Sequence, residues 1–283
     1  MDLGPSAETL RNAERLGIDL TAIDTVILSH GHYDHAGGIM AFAAINPSAK
    51  IYMQRTADGE FYSEDRDGAY RYIGIDKAIA DLPQLVFVDG DLAIDEELLL
   101  LTVQNARYPQ PSMNGRLKRR QGETYLPDTF RHEQSLVITE GTQTALLTGC
   151  AHNGILNILD TFKEKFGRDP DYVIGGFHLM KKTDYTNDEL FEIIDLAKEL
   201  KKYKTQFYTC HCTGIPAYRA MKSLMDSQLE YVHTGEEINI MKNCQNTENA
   251  KRRKNVYMKA HRFFAWATVT CFIMTMITGY KRK

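Results

Sequence analysis

The sequence lacks a basic surplus: 34 Lys+Arg stand against 37 Asp+Glu in 283 residues, a formal net charge of −3. That balance gives no footing to a nucleic-acid binder whose affinity rests on phosphate neutralisation. It also lacks a cysteine framework. Cys150, Cys210, Cys212, Cys244 and Cys271 are odd in number and scattered, unlike the pairing of a small secreted scaffold, and fit reduced thiols in a cytoplasmic setting. The opening MDLGPSAETL has no basic stretch followed by an apolar run, so no cleavable export signal is read there. Internal repeats are absent too. A hydrophobic content of 43% suffices for a sizeable core and disfavours disorder.

What is present is an interleaving of strand-like and helical segments. Residues 7–17 read as a helix with Leu10, Ala13 and Leu16 on one side, and 25–29 as a short apolar β-type run ending in a histidine cluster. Further strands are expected at 50–53, 84–88, 98–103, 135–139 and 144–147, separated by turn-forming pairs such as Asp89-Gly90 and Glu140-Gly141. After residue 150 come helices at 156–165, 187–202 and 216–225, alternating with strands at 172–174, 206–209 and 230–232. Thr186 and Glu189 match the Ser/Thr-x-x-Glu capping box of a helix start. This order implies sheets covered by helices.

Three regions are expected: a main domain over 1–241, a polar and basic linker over 242–262, and a charge-free stretch over 263–280. Eighteen helical residues rise roughly 27 Å, close to the hydrocarbon thickness of a bilayer. Residues 263–280 therefore read as a tail anchor that tethers the chain to a membrane, the alternative being a helix packed on the domain.

The densest chemistry lies in Ser29-His-Gly-His-Tyr-Asp-His-Ala-Gly-Gly38, which compresses His30, His32, Asp34 and His35 into six residues after an apolar strand. Neutral imidazoles with one carboxylate suit borderline divalent ions such as zinc, iron or manganese. The alternate positions His30 and His32 can face one ion, leaving Asp34 and His35 for a second. Gly31, Gly37 and Gly38 let the backbone fold tightly around them. His152 and His211 each follow a strand-like run, where loops converge on one sheet edge. His178 follows the strand at 172–174 and reads as a ligand, a proton donor or a contact to an anionic substrate. Cys150 is either a thiolate ligand or a small buried residue. His132 and Glu133 either reach the pocket edge or lie exposed in a loop, whereas His233 and His261 read as structural or solvated.

The His-x-His-x-Asp-His run after a strand resembles the signature of the metallo-β-lactamase superfamily, and Asp2-Leu-Gly4 resembles the Asp-x-Gly element that precedes it there. Thr148-Gly-Cys-Ala-His-Asn-Gly-Ile-Leu-Asn157, Gly175-Gly-Phe-His-Leu179 and His211-Cys-Thr-Gly214 resemble the branch that includes archaeal dihydropterin ribofuranosylaminobenzene phosphate synthases. The resemblance covers about residues 1–240. It implies an α/β fold, a four-layer αβ/βα sandwich that lacks the first N-terminal strands, because Met1 stands directly before Asp2. It also implies two divalent metal ions, most simply zinc, with His30 and His32 at the first, Asp34 and His35 at the second, and His152 and His211 completing the set. Asp34 and His178 are the expected catalytic residues.

The activity implied is metal-assisted hydrolysis of an ester-like or phosphoester bond in a small-molecule substrate, with no nucleic-acid partner. Two rivals stand beside it. One is transferase chemistry of the synthase kind on a phosphorylated, pterin-like substrate, for which Arg107, Arg116, Lys118, Arg119 and Arg120 in the insert 104–131 are the discriminating residues, unless that insert is simply a solvated loop. The other is a shortened, inactive relative that binds metal without turnover.

Overall fold

The computed structural model describes residues 1–238, Ile240 and the pair Val269–Thr270. The chain begins with α1 (Glu8–Arg15), β1 (Thr25–Ile27), the one-turn α2 (Tyr33–Ala36), α3 (Ile39–Ile45) and β2 (Lys50–Gln54). There follow β3 (Phe61–Glu64), β4 (Tyr70–Tyr72), β5 (Leu85–Val88), β6 (Leu92–Ala93), β7 (Leu98–Leu101), β8 (Leu117–Gln121), β9 (Thr124–Pro127), β10 (Ser135–Glu140) and β11 (Gln143–Leu147). The last part is α4 (Ile155–Phe166), β12 (Tyr172–Gly175), α5 (Asn187–Leu200), β13 (Gln206–Thr209), α6 (Ile215–Met225), β14 (Leu229–Tyr231), β15 (Glu237–Ile238) and β16 (Val269–Thr270).

Two sheets form the centre. A parallel one has the order β1-β2-β5, and a seven-stranded mixed one has the order β14-β13-β12-β11-β10-β7-β6. Strands β11 to β14 run parallel, with α4, α5 and α6 on the connections between them, while β6, β7, β10 and β11 pair antiparallel. Side chains of a strand alternate between its faces, and that period sorts the core. Val137, Leu146, Val173 and Phe207 face Ile158, Phe162, Ile193, Ala197 and Met221 of the three helices. Leu136 and Leu100 face the other way, against Ile27, Tyr52 and Val88 of the smaller sheet. The far side of that sheet, Val26, Ile51 and Met53, is covered by Ile39, Phe42 and Ala43 of α3. The layers are thus helix, sheet, sheet, helix, the four-layer sandwich that the family resemblance implies.

The insert 104–131 is not a solvated loop throughout. Its second half is the hairpin β8–β9, which joins β3 and β4 in an antiparallel sheet of order β4-β3-β8-β9. Charged side chains fill one face of β8, and the alternation with Leu117 is too short to register as a strand pattern in isolation. The expected linker over 242–262 and apolar stretch over 263–280 lie outside the described residues, apart from Val269–Thr270, which pairs with Glu237–Ile238. Among the described residues no helix is long and apolar enough to cross a membrane.

Candidate metal centre

The histidine run emerges from β1 at the sheet edge and turns into α2, with His32 as the residue before the helix. The glycines are sterically required: a β-carbon at Gly31 would collide with the Ala57 carbonyl, at Gly37 with the Pro5 carbonyl and at Gly38 with the Leu3 carbonyl. The turn is thereby pressed against the N-terminal segment, which brings in Asp2. Its carboxylate accepts the Ser29 N–H (2.7 Å) and Ser29 hydroxyl (2.8 Å) on its two oxygens, and one of these also takes the His35 Nδ1–H (2.8 Å). The Ser29 oxygen then accepts from His30 Nδ1 at 2.8 Å.

His152, on the loop after β11, is pinned in the same fashion. Its Nδ1 donates to Asn114 Oδ1 (3.0 Å), while Asn114 Nδ2 returns a bond to its carbonyl (2.7 Å). Buried Glu133 accepts the backbone N–H groups of His152 (2.6 Å) and Asn153 (2.8 Å). With the Nδ1 sides of His30 and His152 occupied as donors, both rings present their Nε2 lone pairs to the interior, the arrangement that fixes tautomer and aim in metal-binding histidines.

Those lone pairs converge. The rings of His30, His32 and His152 lie 4.6, 4.8 and 4.9 Å apart pairwise, and their ligand atoms lie within 4.8 Å of one another. Nε2 of all three is buried without a hydrogen-bond partner. An unsatisfied buried acceptor costs about 1–3 kcal/mol, so three aimed at one point fit a cation. Burial, reinforced by the neighbouring imidazoles, holds His30 and His152 well below the usual histidine range, and with His132 beside it His32 is pushed down to about 3. All three are therefore neutral bases at pH 7.

The second set is adjacent. Asp34 Oδ2 lies 3.8 Å from His35 Nε2 and 3.7 Å from His211 Nε2, and the two rings are 5.0 Å apart. Burial would raise Asp34, but the imidazoles of His35, His32 and His211 hold it below the ordinary carboxylate range. At His35 burial works against protonation, yet Asp2 and Asp34 together carry it up to about 9.

Cys150 stands between the two sets. Its Sγ is 3.2 Å from His35 Nε2, and it groups with His30 and His35, with His152 and His178, and with His211 and Cys212. Burial keeps this thiol well above its usual range. His178 joins the wall with its ring 4.1 Å from His152 and a buried, unpartnered Nδ1. All six sequence-derived ligands and His178 are thus brought together.

The supporting residues were harder to read. His132 and Glu133 are both buried, not exposed, with His132 Nδ1 accepting the Gly31 N–H (2.9 Å) and Nε2 bonded to Asp128 (3.0 Å). Asn114, within the insert, gave no signal at all. The backbone is strained around the same point: among the described non-glycine residues, left-handed φ occurs at Asp2, Phe130, Ala151, His178, His211 and Asp226, of which only Asp226 lies away from the cluster. Such conformations cost about 1–3 kcal/mol each and persist where the surroundings over-determine them.

Fold and cluster together define a class. Residues 1–112 match the family model described as the metallo-beta-lactamase superfamily, and the chain belongs to that superfamily. Among solved structures, Tm1679, described as a metal-dependent hydrolase of the beta-lactamase superfamily, is 31% identical, with 83% of this chain and 86% of that one covered and a TM-score of 0.68. The protein MJ0448 of Methanocaldococcus jannaschii is 27% identical over 245 residues, which is 84% of this chain and 87% of that one. From the same organism, 7,8-dihydropterin-6-methyl-4-(beta-D-ribofuranosyl)-aminobenzene-5'-phosphate synthase is 27% identical over 248 residues, covering 81% and 79%.

Proposed function

We propose that this chain is a metal-dependent hydrolase of a small-molecule ester or phosphoester. The observation that carries the reading is the trio of buried, unpartnered Nε2 atoms on His30, His32 and His152, each of which is a neutral base. These residues would hold one divalent ion, and Asp34, His35 and His211 a second, with zinc the first choice for imidazole-rich donors and iron or manganese the others. Cys150 would stand beside both sets as a further sulfur donor. When bound, such ions supply Lewis acidity that lowers the pKa of water and offsets negative charge growing on a carbonyl or phosphoryl oxygen.

The chain's own residues do the rest. Asp34, whose side chain keeps 20% of its surface exposed, turns a carboxylate toward the attacking water and accepts its hydrogen bond, fixing its approach. His178, half-buried and held left-handed beside His152 with an unpartnered Nδ1, would give the leaving group its proton. Asp2, Ser29, Asn114 and Glu133 keep the imidazoles from turning.

A second reading is favoured by the 27% identity to the synthase, a group transfer onto an amine-bearing phosphorylated acceptor at the same centre. Elemental analysis of the folded chain is the first test. About two ions per wild-type chain, with loss in His32→Ala, followed by hydrolysis of phosphoesters, thioesters or lactones that needs those ions, is the expected result. A folded wild type that takes up no metal overturns the enzyme reading and leaves the shortened, inactive relative. Full metal content with no hydrolysis, but with turnover of a pterin alcohol and an aminobenzene ribose phosphate, favours the transferase.

A further inference from the structure

Beside the metal centre lies a second concavity, a cavity of about 670 Å³ between the turn Arg55–Asp58 and the hairpin β8–β9. Pockets of that size suit a drug-sized ligand and exceed what a lone ion needs. Four guanidinium groups line it, on Arg55, Arg119, Arg120 and Arg131, together with the carboxylates of Asp58, Glu60 and Asp128.

The pairing among these charges decides what the cavity can take. Asp58 is held by Lys77 at 3.0 Å, Glu60 by Arg120 at 2.8 Å, Asp128 by His132 at 3.0 Å, and Arg55 turns to Asp89 at 3.1 Å. Asp58 and Glu60 therefore each have their own cation, and Asp128 is hydrogen-bonded to the His132 ring. Among the described residues, Arg119 and Arg131 form no ion pair. Arg119 is half-buried, gives one Nη1 bond to Gln121 (3.2 Å), and keeps its Nε–H buried with no acceptor at all. A buried donor left unmet is costly, and a charged one more so, unless a ligand supplies the acceptor.

The cavity also adjoins the reacting end. Its lining includes Phe61 and His132, whose rings lie 5.9 Å and 5.4 Å from that of His32. A molecule anchored by the arginines thus lies one layer of side chains from the first metal set.

We propose that this cavity binds a phosphomonoester group of the substrate, held by Arg119 and Arg131. The planar guanidinium fork matches the oxygens of a phosphate bidentately, and two unpaired guanidiniums match its dianionic charge. The proposal deepens the hydrolase reading by naming the substrate class, and it rests on that reading only for the claim that the bond to be broken is presented to the metals.

The test is calorimetric titration of inorganic phosphate into the metal-loaded full chain at constant ionic strength. The wild type is expected to show saturable binding, and Arg119→Gln with Arg131→Gln to weaken it about tenfold or more. Arg119→Lys, which keeps the charge but not the fork, should fall between them, and Arg131→Gln alone, at an exposed side chain, gives a readable loss if the double variant does not fold. His32→Ala is expected to bind within about twofold of wild type, because the arginines are not metal donors. Unchanged affinity in the arginine variants, no saturable binding to wild type, or loss in His32→Ala alone, which puts the anion on the metals, each overturns the proposal. A wild-type chain that binds phosphate but takes up no metal sinks only the hydrolase reading.

Discussion

Asp2 shows how much of the cluster is organised by side chains buried behind the histidines. One carboxylate fixes Ser29 and His35 directly and His30 through the Ser29 hydroxyl. Partners of this kind typically carry 10–100-fold in metal affinity. Asp2→Asn is therefore expected to weaken metal binding by about that factor, read by chelator competition; wild-type affinity in the variant would mean that His35 is aimed by other contacts. At Glu133 the expected effect is on stability. Gln replaces one acceptor by an NH2 group facing the N–H donors of His152 and Asn153, which should cost about 1–3 kcal/mol and lower the denaturant midpoint. That His30, His32, Asp34 and His35 gather at one point was legible because a histidine run of that density has few structural uses, whereas His152 and His211 were added by the family resemblance. The supports were not legible, since Asn114 and Glu133 are ordinary polar residues until the fold places them behind His152.

Elements were readable where the local signal and the tertiary setting agree. Helix α5 starts at the Thr186 and Glu189 capping box, with both reciprocal bonds formed, as the sequence motif predicts. The strands at 98–101 and 135–140 follow their apolar runs. Strands β3, β4, β8 and β9 were missed because they draw their order from one another: Tyr125 stacks on Tyr70 with ring centres 3.8 Å apart, and Arg120 bonds to Glu60 across the sheet. Such cross-strand pairs exist only after folding. At the end of α6, exposed Asp226 sits at φ 47° and ψ −131°, a backbone state that suits glycine. Asp226→Gly is expected to stabilise the chain by about 1 kcal/mol, seen as a higher midpoint in thermal unfolding; a lower midpoint would show that its side chain contributes more than the strain removes.

Over the whole molecule, the metal-free chain should carry a bell-shaped dependence of stability on pH. His35 is raised from 6.5 to about 9 in the folded state, so its contribution is complete below about pH 6.5 and is lost as pH climbs through 9. His30, His32 and His152 are depressed, so they contribute nothing above about 6.5 and penalise the folded chain as acid protonates the unfolded imidazoles. Maximum stability near pH 6.5 is expected for chelated protein by denaturant titration; a flat profile would contradict the buried, oppositely shifted imidazoles. With His35 in the proposed second set, metal loading would expel its proton, so uptake is expected to release acid and to tighten with rising pH. That sheets are covered by helices was legible from the alternation of apolar strands and helices, whereas the four-layer order came from the family resemblance.

The donors come from segments far apart along the chain: His30 to His35 after the first strand, Cys150 to His178 in the middle, and His211 beyond α5. Bound ions would therefore act as cross-links, closing long loops in the way a disulfide does and removing chain entropy from the unfolded ensemble. On the proposed two-ion reading, completion of the second set comes late in folding, after β13 has docked and delivered His211. A chain cut before that strand keeps the whole histidine run yet cannot complete the centre, which makes metal uptake a readout of finished folding.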